Sequence, residues 1–92
     1  MERNRFRVIV SGRVQGVSFR AYAAEEATLL GLVGWVRNLS DGTVEIEAEG
    51  PVASLEQMLS WCRRGSPGAR VKDVSVVWLA PTEADKTFRI RY

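Results

Sequence analysis

The sequence predicts an α+β sandwich in which one antiparallel sheet carries two helices on one face. Three observations point there. Val44, Ile46 and Ala48 alternate with Glu45, Glu47 and Glu49, the period-two pattern of a half-buried strand. Phe19, Ala23, Ala27 and Leu30 recur at helical spacing and mark one apolar stripe. Strand and helix signals follow one another along the chain as β-α-β-β-α-β, with one short strand after them.

Each element has its own justification. Arg5–Ser11 alternates and is rich in Val and Ile, so it reads as the first strand. The first helix spans Phe19–Leu30, with Ser18 where an N-cap belongs and Gly31 where a C′ glycine belongs. Val33–Asn38 is the second strand. Leu39-Ser40-Asp41-Gly42 supplies turn chemistry, and Thr43–Glu49 is the third strand, so the two form a hairpin. Gly50-Pro51 opens the second helix, since proline is tolerated in a first turn. Val52, Leu55, Leu59 and Cys62 form its apolar stripe, and Gly65 ends it. After a Ser66-Pro67-Gly68 loop, Val71–Leu79 is the fourth strand. Pro81–Asp85 is a polar connection, and Thr87–Tyr92 is a short final strand with Phe88, Ile90 and Tyr92 on one face. This order is the split βαβ, or ferredoxin-like, plan, with the far face of the sheet left to water.

Composition narrows what such a chain does. Its 92 residues suit one domain, residues 1–92, and 46% hydrophobic with 26% charged residues is the balance of a globular protein. No apolar run approaches the ~20 residues that cross a membrane, so no membrane partner is expected. The N-terminal MERNRFRV is charged and unlike a signal peptide, so the cytoplasm is the expected compartment. One cysteine, Cys62, excludes an intrachain disulfide. The absence of histidine excludes Ser–His and Cys–His nucleophilic pairs and histidine metal ligands. A net charge of +2 fits a small anion better than a nucleic-acid duplex.

The informative stretch is SGRVQGVSFR, Ser11–Arg20, an acid-free crossing from strand to helix with two glycines and two arginines. Topology puts it at the end of the sheet where the second strand also finishes, so it should meet Asn38. A helix N-terminus presents unpaired N–H groups and partial positive charge. Gly12 and Gly16 let the backbone bend and approach a ligand closely. A loop with inward N–H groups makes an anion nest, and Arg20 adds a forked, permanent cation. The local chemistry is that of a phosphate cradle.

GRVQGVSFR resembles a signature of the acylphosphatase family, G-x-V-Q-G-V-x-F-R. LGLVGWVRNLSDGTVEIEAEGP resembles that family's second signature, Gly-Trp-Val-x-Asn followed by a turn. The two motifs cover about a third of the chain, and the split βαβ order and the closing FRIRY extend the likeness from end to end. The sequence departs from the family at Ser18, where several members carry cysteine, and in a slightly longer Gly65–Gly68 loop.

The resemblance implies hydrolysis of an acyl phosphate to a carboxylate and inorganic phosphate. Arg20 would hold the phosphoryl group, helped by the N–H groups of Val14, Gln15, Gly16, Val17 and Ser18, and Asn38 would orient the attacking water. It implies no metal, no cofactor and no covalent intermediate. The expected partners are a small acyl phosphate and, as competing anion, inorganic phosphate or sulfate; the expected state is a monomer. The reaction suits a chain without histidine. Phosphoryl transfer needs mainly positioning and charge stabilisation, and a carboxylate leaving group needs no strong general acid.

Other conspicuous residues have plainer roles. Trp35, Trp61 and Phe19 are expected in or at the edge of the core, Trp78 on the open sheet face, and Tyr22 over the first helix. Cys62 should be an inert buried thiol. Glu45, Glu47 and Glu49 read as a solvated row, and Asp41 as a turn residue. Ser11 and Ser18 lack a base to activate them. The rival functions on this fold are an RRM-like nucleic-acid binder and a silent ligand-sensing module. The central strands lack the interleaved basic–Gly–aromatic motif of the first, and three glutamates would repel phosphate. Arg20 and Asn38 together disfavour the second.

Overall fold

Most apolar positions of the strands turn to one face, and both helices close over it. In the computed structural model, which describes residues 2–92, the order is β1 (Arg3–Arg13), α1 (Phe19–Leu29), β2 (Val33–Asn38), β3 (Val44–Pro51), α2 (Val52–Arg64), β4 (Arg70–Leu79) and β5 (Phe88–Arg91). The sheet runs β4-β1-β3-β2-β5. Cross-strand pairing of Val8 with Ile46, and of Val36 with Ile46, puts the fully buried residues of three strands side by side. Phe19, Ala23 and Ala27 of α1 and Leu55, Met58, Trp61 and Cys62 of α2 complete the core from the helical side. The α+β class and the element order agree with the sequence.

β1 to β4 form the expected antiparallel sheet, but the final strand makes it mixed, because β5 pairs parallel with β2. The reason is geometric. β4 ends at Leu79, opposite Arg5 at the start of β1. The chain then crosses that end of the sheet and must run back in the same sense as β2, whose edge is free, pairing Phe88 with Gly34.

The far face of the sheet is not a solvated row of acids. Glu49 is fully buried and Glu45 nearly so. The cations that the alternation conceals lie on the neighbouring strands, where Arg5 is opposite Glu49, Arg7 opposite Glu47 and Arg37 opposite Glu45. The buried Arg5 guanidinium reaches Glu49 Oε1 at 2.9 Å, Glu47 Oε2 at 2.6 Å and Asp85 Oδ2 at 3.0 Å. Arg7 and Arg37 both bond Glu45. The backbone N–H groups of Thr82 and Glu83 donate to Glu49 at 2.8 and 3.0 Å, so the β4–β5 connection is strapped over this face. Burial pushes the Glu49 pKa up, but the Thr82 N–H, the Arg5 guanidinium and the Glu83 N–H outweigh it and hold the carboxyl below its ordinary value.

Two tryptophans also depart from expectation. Trp35 lies on the far face, not in the core, with the guanidinium carbons of Arg37 and Arg91 at 5.1 and 4.9 Å from its ring. Trp78 pairs with Phe6 across β1–β4 and so faces the helical side, its ring 5.5 Å from that of Phe6 at the sheet's edge. Strand period alone gives neither face nor edge. Trp61 and Phe19 are core residues as expected, with ring centroids 5.1 Å apart.

Candidate active site

The crossing from β1 to α1 begins with a bulge. Pairing with β4 shifts register between Ser11 and Gly12. Gly12 has φ 116°, and a Cβ there would sit 2.2 Å from the Arg70 carbonyl oxygen. Its glycine is therefore required by β4, not by a ligand. Gly16, at φ 77°, is the glycine that serves the loop: it lines the cavity, and no atom lies within 4 Å of where its Cβ would be.

The loop is tied down from three sides. The Val14 side chain is buried in the core. Gln15 Nε2 donates to the carbonyl oxygens of Leu39 and Thr43 at 2.8 and 2.9 Å, joining the loop to the β2–β3 turn. Ser66 Oγ donates to the Val17 carbonyl at 3.0 Å, joining it to the loop after α2. The turn is itself braced, since Asp41 Oδ1 accepts from both the N–H and the hydroxyl of Thr43.

Ser18 occupies the N-cap position but does not cap. Its φ of 58° and ψ of 26° are left-handed, and its side chain makes no capping bond. This corrects the sequence expectation. A Ser before a helical stripe signals a cap only when its backbone is extended, and here the chain turns too sharply. The first turn of α1 contains no acid, so no side chain offsets its positive end.

Arg20 projects from that turn. Its Nη1 lies 3.5 Å from the Arg91 carbonyl oxygen, and its guanidinium carbon lies 4.8 Å from the Tyr92 ring centroid. It has no acidic partner among the described residues. Asn38 ends β2 opposite Val44, on the helical side of the sheet.

These parts enclose one open cavity of about 350 Å³. Of the residues marked by the sequence, it brings together Val14, Gly16, Ser18, Arg20 and Asn38. Gln15 and Val17 do not line it; both are occupied in holding the loop. Phe19 lines it as well as filling the core. Sequence reasoning missed Ala21, Ile90 and Tyr92 in the wall. The Phe88–Ile90–Tyr92 alternation contained the last two, but only the parallel pairing with β2 places them here. Cys62 is outside the cavity, and burial pushes its thiol up to about 12, so it stays protonated.

The geometry offers an anion a loop of main-chain groups, a helix N-terminus, one unpaired guanidinium and one neutral amide. A family model for acylphosphatase matches residues 6–90. An acylphosphatase of Anaeromyxobacter dehalogenans is 50% identical over 91 residues, covering 99% of this chain and 98% of that one. An acylphosphatase of Methylococcus capsulatus is 56% identical over 78 residues, covering 85% of each chain. The crystal structure of acylphosphatase from Bacillus subtilis superposes with a TM-score of 0.93 at 44% identity, covering 97% of this chain and 99% of that one. On its sequence and its fold alike, the chain belongs to the acylphosphatase family.

Proposed function

We propose that the cavity is where this enzyme hydrolyses acyl phosphates to a carboxylate and inorganic phosphate, with the Val14–Ser18 loop and Arg20 holding the phosphoryl group and Asn38 orienting water. The observation that carries this reading is the convergence of Gly16, Ser18, Arg20 and Asn38 on one cavity. Phosphoryl oxygens accept hydrogen bonds from the loop N–H groups and from the α1 N-terminus. The Arg20 guanidinium supplies a fork that matches two of those oxygens. A bound phosphoryl group also relieves the local cost, about 0.3–1 kcal/mol, of a cation in a helix first turn.

Asn38 serves as a neutral acceptor. Its amide oxygen aligns a water without changing protonation state. As water attacks phosphorus the new P–O bond forms and the bond to the acyl oxygen breaks; the carboxylate departs with the electron pair, and the water's proton passes to a phosphoryl oxygen of the phosphate released. Charge builds on the equatorial oxygens, where the cradle and Arg20 are strongest. The Gln15 side chain positions the loop, while its main-chain N–H is part of the cradle.

The reaction is metal-independent and needs no cofactor in this reading. Among the described residues no group of three His, Cys, Asp or Glu side chains could hold a metal ion, and the leaving group is already good. Inorganic phosphate and sulfate compete for the cradle. The enzyme acts as a cytoplasmic monomer on a small molecule, without nucleic acid or membrane; among the described residues no helix is long and apolar enough to cross a membrane. The test is hydrolysis of benzoyl phosphate with excess EDTA present. Full turnover with competitive inhibition by phosphate is expected. Loss of turnover that magnesium or zinc restores, or uncompetitive inhibition by phosphate, overturns the reading.

A further inference from the structure

The cavity does not end at the cradle. Ala21, one residue beyond Arg20, lines it and also lines an adjoining cavity of about 190 Å³ with Tyr22 and Glu25. Two other cavities, one at Ala84–Arg89 and one between the end of α1 and the start of β5, share no lining residue with it. A substrate held by its phosphoryl group must send its acyl group out of the cradle. The Val14–Ser18 loop, Asn38 and Arg20, which rests on Tyr92, wall the cradle itself. The route that continues as a cavity passes over the small side chain of Ala21.

What lines that route has a definite chemistry. Tyr22 is 44% exposed, so its ring is accessible from solvent. It offers an apolar face beside the cavity. Glu25 sits one turn further along α1 and has no cationic partner within 4 Å among the described residues. The phosphoryl end of the site is positive, and the far end is aromatic and then negative.

The geometry points to an acyl-group subsite made by Ala21, Tyr22 and Glu25, which favours apolar or aromatic acyl groups over acyl groups that carry a second negative charge. It rests on the phosphoryl group occupying the neighbouring cradle. Tyr22 packs against a flat acyl group, and the Glu25 carboxylate repels a second anion. Both residues are on the surface, so exchanging them does not disturb the core.

The test compares kcat/KM for benzoyl, acetyl and succinyl phosphates at fixed ionic strength. Tyr22→Ala should lower the benzoyl-to-acetyl ratio about fivefold, the value of one aromatic contact. Glu25→Gln should raise the succinyl-to-benzoyl ratio about fivefold, the value of one like-charge contact in water, and less at high salt. Ratios unchanged within twofold in both variants overturn the subsite. Failure of the cradle reads out separately, as phosphate inhibition that is equal in wild type and Arg20→Lys.

Discussion

The side-chain amide of Gln15 lies 2.8 Å from the carbonyl oxygen of Leu39. Together with the bond to Thr43, this contact links the Val14–Ser18 loop to the hairpin that carries Asn38. The separation of those two parts is therefore set by a side chain that never reaches the cavity. Gln15→Ala should lower kcat about tenfold or more, because misplacement of reacting groups by ~1 Å can cost ~10²-fold. Stability should fall only by about 1 kcal/mol, the net worth of an ordinary hydrogen bond. Steady-state kinetics beside thermal unfolding checks this, and an unchanged kcat removes Gln15 from the positioning role.

Ser18 provides a test with a sign. If its hydroxyl capped α1, Ser18→Gly would lower stability by a few tenths of a kcal/mol. With φ at 58°, the left-handed backbone instead costs a non-glycine residue about 1–2 kcal/mol, and glycine removes that cost. Some of the gain is offset by the greater freedom of glycine in the unfolded chain. The expected outcome is a melting temperature raised by a few degrees, and a lowered one would restore the capping role.

Glu49 predicts how stability depends on pH. Its folded pKa lies below the ordinary 4.5, so its contribution is fully present above that pH and is lost as pH falls through the depressed folded value. Breaking a buried ion pair costs about 3–5 kcal/mol, because the partner charge is left uncompensated. At pH 7, Glu49→Ala should therefore be several kcal/mol less stable than wild type, and the gap should narrow as pH drops below 4.5. Urea denaturation at pH 7 and pH 3 measures it. A gap of constant size would contradict the network built on Arg5.

How far the sequence led can be judged residue by residue. Period-two and period-3.6 patterns located the strands and helices, since burial on one face acts locally. The meeting of Arg20 and Asn38 was legible from the strand order, which brings the end of β2 to the β1–α1 crossing, whereas the roles expected of them came from the family resemblance. The fate of Glu45, Glu47 and Glu49 was not, because the arginines that bury them come from other strands at separations of up to 44 residues. Trp35 was misplaced for the same reason: Arg91, which covers it, belongs to a strand whose pairing partner no local pattern announces. Ile90 and Tyr92 entered the cavity wall only through that parallel pairing.

The central claim, that Arg20 holds the phosphoryl group while Asn38 orients water, separates most clearly in one variant. In the proposed mechanism Arg20 touches substrate in both ground and transition states, whereas Asn38 matters as attack occurs. Asn38→Ala should lower kcat on the order of 10²–10³-fold, about 3–4 kcal/mol, with a much smaller change in KM and with phosphate inhibition retained. The measurement is kcat, the inhibition constant for phosphate and the melting temperature on one sample of Asn38→Ala. A folded, phosphate-binding, slow enzyme is the predicted result; a folded variant with near-normal kcat would contradict it.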